Sequence, residues 1–336
     1  MEEKKKYQYK VINYSHEFEQ KWDWFVMNDS VNGTFLQTRR FLNYHPSGRF
    51  TDSSLIVLDN KDNIVTVCPA CIQYEGENKI FFSHKGSTYG GIIIAHKAYS
   101  AEKVIEIIEQ IEKFLVENGF KKIVYKITPE IFCTESSALL EYVLYYENYE
   151  EEKELNLQIE YDSYKEEIIS NLSQGKRTHV HNCQRAGLLL KKLVDDDEIK
   201  NFYEALCLSL EKYSLKPVHT MNELLVLKNE VLKEECEFFG LYQSEKFIAG
   251  SMMFYFNNVN VAHAQYLCAL PDYNKLSPVT YMYYCMAEEM KKKGFKRLSW
   301  GISSEHGGKV LNMGLTGNKE SYGSKYSINR VHFKEL

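Results

Sequence analysis

K-K-G-F-K-R-L-S-W-G-I-S-S-E, residues 292–305, repeats the grammar of E-N-G-F-K-K-I-V-Y-K-I-T-P-E, residues 117–130. Gly119/Gly294, Phe120/Phe295, Lys121/Lys296, Ile127/Ile302 and Glu130/Glu305 coincide at one offset, 294 − 119 = 175, about half of the 336 residues. In each passage a charged helix end meets a glycine, where a left-handed C-cap costs least, and a β-rich run follows. A helix-to-strand junction written twice at half-length predicts a duplicated domain.

The flanking sequence repeats as well. In the first half, S-S-L-I-V-L (53–58), the turn D-N-K-D-N and I-V-T-V-C-P-A-C-I (64–72) read as a hairpin. In the second half, F-F-G-L-Y (238–242) and F-I-A-G-S-M-M-F-Y-F (247–256) read likewise. K-I-F-F-S-H (79–84) and V-N-V-A-H-A-Q-Y-L-C (259–268) each supply a further strand. A helix follows each. Val104, Ile107, Ile108, Ile111 and Leu115 form one apolar stripe behind the N-cap candidate Ser100. Val279, Met282, Met286 and Met290 form the other, behind Ser277-Pro278. The strands 121–127 and 296–302 close the two units. Helices are expected at 198–212 and 221–234. The segment 161–188 is expected to be helix, basic elbow, helix and then strand, and the charged run 147–156 a solvated turn near the boundary.

Apolar residues make up 44% and charged residues 26%, the balance of a globular protein. The net charge of −5 and the lack of a long basic block do not favour sequence-independent nucleic-acid binding. Neither a signal-peptide core nor a run of about 18 apolar residues occurs, so a cytoplasmic location is expected. The eight cysteines are read as reduced and structural. C-P-A-C (68–71) lacks a second C-x-x-C and sits in a strand-like run, and H-V-H (179–181) has no partner at ligand spacing. No metal is expected.

Several stretches resemble the Fem-type and BioF-like double-GNAT acyltransferases: G-T-F-L-Q-T-R-R-F-L-N-Y-H-P-S-G-R-F (33–50), H-K-G-S-T-Y-G-G-I-I-I (84–94), G-K-R-T-H-V-H-N-C-Q-R-A-G-L (175–188), A-H-A-Q-Y (262–266) and 298–323. Order and spacing carry the resemblance, which runs from about residue 33 to 326. It implies an α/β (α+β) fold of two tandem GNAT-like domains, 1–155 and 156–336, each a mixed twisted sheet flanked by helices. It also implies acyl or aminoacyl transfer to amines. In the closing motif, Phe-Lys-x-x-aromatic-Gly, Asn318 replaces the phenylalanine, while Lys319, Tyr322 and Gly323 fit.

The chemistry requires a cradle for the donor, a group that polarises the acyl carbonyl and an acceptor for the amine proton. The Q/R-x-x-G-x-G/A cradle is absent from both halves. G-S-T-Y-G-G (86–91) precedes a strand and lacks a Gly-Lys-Ser/Thr ending, so a turn is its plainer reading. By resemblance Lys319 steadies negative charge on the carbonyl; the plainer reading is a surface lysine. His263 is a candidate general base, or simply a hydrogen-bonded structural histidine. Two-residue alternation puts His263 and Gln265 on one strand face and Tyr266 on the other. Glu305 could deprotonate an amine, although its counterpart Glu130 suggests an inherited structural role.

Gln265, Tyr266, Lys275, Ser277 and Tyr322 are the donor-binding candidates. Tyr44, His45, Arg49, His84, Tyr89, Arg177, Arg185 and Trp300 are the acceptor-side candidates, the two arginines as bidentate anchors for an anion. The expected donor is acyl-CoA or acyl carrier protein, and the acceptor a small-molecule, sugar or lipid-linked amine. The alternatives are transfer from aminoacyl-tRNA to a cell-wall precursor and a duplication that binds ligand without catalysis.

Overall fold

The computed structural model describes residues 8–211 and 214–336; the N-terminal residues 1–7 and residue 212 of the expected helix 198–212 lie outside them. The chain divides into two compact units. One runs through Lys153 and takes in Ile328–Leu336; the other is Glu154–Ser327. The last nine residues thus group with the first unit, whereas the sequence reading ran the second domain to residue 336.

The first unit's strands are β1 (Lys10–Asn13), β2 (Leu55–Leu58), β3 (Ile64–Cys68), β4 (Ala70–Glu75), β5 (Asn78–Ser83), β6 (Ile93–Ile94) and β7 (Lys122–Lys126). Its helices are α1 (Glu19–Asn28), α2 (Arg39–Leu42), α3 (Ala101–Glu117) and α4 (Ala138–Tyr146). Strands β1, β2, β3 and β6 form one sheet in that order. The run 64–72, expected as one strand, is divided at Pro69: β3 stays with β2, and β4 pairs with β5. Proline has no N–H to give a ladder, which makes it a natural break point. Cys68 and Cys71 fall on opposite sides of that break, both buried. Strand β7 lies parallel to β5, connected through α3, and pairs on its other side with residues 331–335. The α3 stripe Val104, Ile107, Ile108, Ile111 and Leu115 is buried in the unit's core. Each side chain there contributes about 1.5–3 kcal/mol relative to exposure.

The second unit contains most of β8 (Glu150–Glu160), then β9 (Leu188–Leu193), β10 (Cys236–Gln243), β11 (Lys246–Phe256), β12 (Val261–Ala269) and β13 (Arg297–Ile302). The short hairpin β14 (Ser304–Glu305) and β15 (Val310–Leu311) follows, and β16 (Lys325–Glu335) ends the chain. Helices are α5 (Gln174–Arg185), α6 (Asp196–Glu211), α7 (Met221–Val226), α8 (Pro278–Lys292) and α9 (Met313–Glu320). The order β8-β13-β12-β11-β10-β9 is antiparallel except for β12 and β13, which are parallel and joined through α8. Met282, Met286 and Met290 of α8 pack with Met253, Ala262, Ala264, Leu298 and Trp300.

Three expectations are corrected here. The run 147–156 is largely strand, because β8 alternates from charged residues into Leu155, Leu157 and Ile159. The basic elbow is the helix α5 itself, preceded by short 3₁₀ turns at Tyr161–Ser163 and Ile168–Asn171. The expected helix 221–234 ends as α7 and a single π-type turn, Leu227–Val231. The duplicated junction itself has the expected form: Gly119 and Gly294 take φ of 77° and 84°, and open space surrounds both. Ser100 and Ser277 occupy the N-cap positions, but neither hydroxyl caps.

Candidate active site

Strands β12 and β13 pair over three positions only, Val261↔Arg297, Ala262↔Leu298 and His263↔Ser299. Beyond His263 the two part. On the other side of β12 the register with β11 slips: Met253 faces Ala264, and Met252 faces Tyr266. Gln265 is therefore the extra residue of a β-bulge. Paired residues share a sheet face, and so do residues two apart. His263, opposite Phe254, consequently lies on the same face as Tyr266, opposite Met252. The expected alternation of His263 against Tyr266 fails because the bulge turns the strand by one residue.

His263 Nδ1 lies 3.1 Å from Ser299 Oγ. Burial, with a smaller contribution from the Lys319 charge, lowers its pKa to about 4, so the ring is neutral near pH 7. Gly301, at φ 79°, lies against the ring: a Cβ there would sit 3.6 Å from His263 Cε1. Tyr266 Oη is 2.7 Å from Nδ1 of His219, a residue that sequence reasoning missed. Burial raises the Tyr266 pKa to about 12.

Lys319, on α9, is 2% exposed and is no surface lysine. Its Nζ donates to the carbonyls of Gly301 at 2.9 Å and Ile302 at 2.7 Å, where β13 ends. Burial lowers its pKa to about 8. The next residue back, Asn318, accepts from Lys176 Nζ at 2.6 Å. Lys176 also donates to Thr280 Oγ1 at 3.2 Å and lies 5.0 Å over the Tyr322 ring. Asn318 thus has a polar partner where phenylalanine would have an apolar one. Tyr322 stacks on Tyr283 at 4.7 Å, and Tyr283 meets Trp300 at 4.6 Å. All three rings are buried on the α8 face.

Glu305 is exposed and accepts from Asn312 Nδ2 at 2.9 Å. Asn312 is the N-cap of α9 and accepts from Leu315 N–H. In the first unit Glu130 accepts from the backbone N–H and the hydroxyl of Ser137, the N-cap of α4. Both carboxylates lie seven residues before the cap they hold (137 − 130 = 312 − 305). The repeat therefore extends to the caps at the same 175-residue offset.

Other candidates are dispersed. Lys275 is exposed on a 3₁₀ turn (Pro271–Leu276), and Ser277 takes φ 53°. Arg177 and Arg185 are exposed on α5, and Arg185 donates to Asn182 at 2.6 Å. In the first unit Tyr44 and His45 are half-buried and Arg49 is exposed. His45 Nε2 is 2.8 Å from Gly86 O, and His84 Nδ1 accepts from Gly86 N–H at 3.1 Å. Burial lowers the His84 pKa to about 4, which suits an acceptor nitrogen. Tyr89 stacks on Phe132 at 5.8 Å. Among the described residues no group of three or more His, Cys, Asp or Glu side chains is placed to hold a metal, and no helix is long and apolar enough to cross a membrane.

Residues 176–307 match the family model described as an acetyltransferase (GNAT) domain. No curated protein sequence matches the chain. Solved structures match over nearly the full length. FemX has a TM-score of 0.67 at 10% identity, covering 96% of both chains. The C-terminal domain of a putative lysylphosphatidylglycerol synthetase from Agrobacterium fabrum has 0.59 at 11%, covering 95% of this chain and 92% of that one. A tandem GNAT protein from the clavulanic acid biosynthesis pathway has 0.57 at 6%, covering 97% and 98%. A bulged strand that parts from its parallel neighbour, repeated helix-to-strand junctions and these matches agree: the chain has the tandem-GNAT fold, and its residues 176–307 are similar to a GNAT acetyltransferase domain.

Proposed function

We propose that the chain is an acyltransferase that passes an acyl group from an activated donor to an amine. Chemistry takes place where β12 and β13 part. The amine nitrogen attacks the acyl carbon directly, without a covalent enzyme intermediate. Lys319 steadies the oxyanion; two of its three N–H groups are held by Gly301 and Ile302, and the third serves the carbonyl. His263, neutral at working pH, takes the proton that the nitrogen sheds. The C–X bond to the leaving group then breaks, and that group departs with its electron pair. The observation that carries this reading is the buried Lys319, with no carboxylate partner among the described residues, close enough to His263 to lower its pKa.

The first-choice donor is acyl-CoA or acyl carrier protein, a choice supported by the GNAT domain match. The acceptor is a small-molecule, sugar or lipid-linked amine. The second reading, transfer from aminoacyl-tRNA, is favoured by the missing glycine cradle before α8, where a 3₁₀ turn stands instead. Thermal unfolding with CoA, acetyl-CoA and longer acyl-CoAs tests the first. A ligand at a hundred times its Kd adds about 2.7 kcal/mol of stability. A saturable shift supports the CoA donor, and no shift at millimolar ligand rejects it. Binding of aminoacyl-tRNA that weakens steeply with salt would support the second reading. In either case, Lys319→Ala and His263→Ala variants that stay folded with unchanged turnover would sink catalysis at this site.

A further inference from the structure

We propose that Glu160, acting through Gln158, Asn156 and Ser299, holds His263 as its Nδ1–H tautomer and leaves Nε2 as the proton-accepting nitrogen. The proposal rests on the reading that His263 receives the amine proton. It concerns four residues that no motif singles out. They lie in one row across three strands. His263 on β12 is paired with Ser299 on β13, and Ser299 with Gln158 on β8. Asn156 and Glu160 flank Gln158 on the same face, two residues away each.

The direction of every hydrogen bond in this row follows from its end. An ionised carboxylate only accepts, so Gln158 turns its Nε2 to Glu160 Oε1, at 3.1 Å. Gln158 Oε1 is then left to accept, from Asn156 Nδ2 at 3.1 Å and Ser327 Oγ at 2.7 Å. The second Asn156 Nδ2 hydrogen goes to Ser327 Oγ at 3.0 Å. With its amide nitrogen committed, Asn156 offers only Oδ1 to Ser299, whose hydroxyl donates to it at 3.2 Å.

Ser299 has one hydrogen and has given it away. Its two lone pairs accept from Gly301 N–H at 3.3 Å and from His263 Nδ1 at 3.1 Å. Nδ1 must therefore carry the proton. The opposite tautomer would require the Ser299 hydrogen and strip the Asn156 carbonyl of its donor. Asn156 and Gln158 are each 2% exposed and Ser299 0%, so water does not readily replace a lost partner. Glu160, Gln158, Asn156 and Ser299 are positioning residues, since none is argued to touch substrate.

The test is long-range ¹⁵N–¹H correlation of the imidazole nitrogens in the full chain labelled with ¹⁵N-histidine, near pH 7. His263 is assigned by the signals lost in His263→Gln. The expected result is a protonated Nδ1 and a bare Nε2, the tautomer that an unrestrained histidine in water populates less. In Ser299→Ala the Nε2–H form should appear. There kcat should fall by up to the about 10²–10⁴-fold that general-base catalysis supplies, while KM is kept. A wild-type His263 carrying its proton on Nε2, or on both nitrogens, overturns the proposal, and this spectrum decides even if Ser299→Ala fails to fold. A bare Nε2 together with full turnover in His263→Gln would uphold the tautomer and overturn the catalytic reading.

Discussion

Lys319 holds two backbone carbonyls and carries charge in the same place, so in the proposed role its loss acts on stability and on chemistry at once. Lys319→Ala leaves the Gly301 and Ile302 carbonyls without their donor, which costs about 1–3 kcal/mol. The proposed oxyanion role adds a fall of about 10²–10³-fold in kcat. Chemical denaturation and steady-state rates separate the two effects. The pH dependence gives an independent check. With a pKa of about 8 the ammonium is lost as pH rises through that value. The kcat/KM profile should therefore have an alkaline limb near pH 8, and in Lys319→Arg this limb should move far upward, because the guanidinium stays charged. A wild-type profile flat to well above pH 8 would remove Lys319 from the chemistry. Lys319 and His263 could be picked out as candidates from the sequence because a motif and a strand position marked them. Ser299, Asn156 and Gln158 were not. A single small or amide side chain in an apolar strand carries no local signal, and its meaning comes from the strand paired beside it.

At the scale of elements, the seven-residue link from carboxylate to N-cap accounts for the two glutamates of the echo. Glu130→Ala and Glu305→Ala should each lower stability by about 1 kcal/mol, the usual worth of a supported cap. Turnover of Glu305→Ala should stay near that of the parent under conditions where both are folded. A loss of more than about 100-fold would instead return Glu305 to general-base duty. Helix stripes, glycine stops and hairpins could be read from the chain because each rests on neighbours within a few residues. The bulge at Gln265 could not, since a bulge is a mismatch between two strands and only the register with β11 reveals it. The same holds for β8, whose first residues are charged enough to pass for a loop until their pairing is known.

At the scale of the molecule, three histidines with depressed pKa values link stability to pH. His84, His263 and His332 are each lowered to about 4, chiefly by burial. An unfolded histidine titrates near 6.5. Between the two values the unfolded chain binds more protons than the folded one, so stability is full above pH 6.5 and is lost as pH falls toward 4. Each histidine contributes a slope of about 1.4 kcal/mol per pH unit in that window. Tm measured from pH 7 to 4 should fall steeply. In His332→Gln the fall in stability should be shallower by up to about 1.4 kcal/mol per pH unit, and an unchanged slope would mean that His332 titrates normally when folded.

The return of Ile328–Leu336 to the first unit also sets an order in time. The second unit, Glu154–Ser327, is one continuous stretch of 327 − 153 = 174 residues and is complete as soon as it has been synthesised. Strand β7 of the first unit has no partner on one side until residues 331–335 arrive. At about 5–20 residues per second, a ribosome needs ~10–35 s to cross the intervening unit. Throughout that interval the nascent first unit carries an open sheet edge, the kind of surface that recruits stray strands. The earlier-made half of this protein is thus the later one to finish folding.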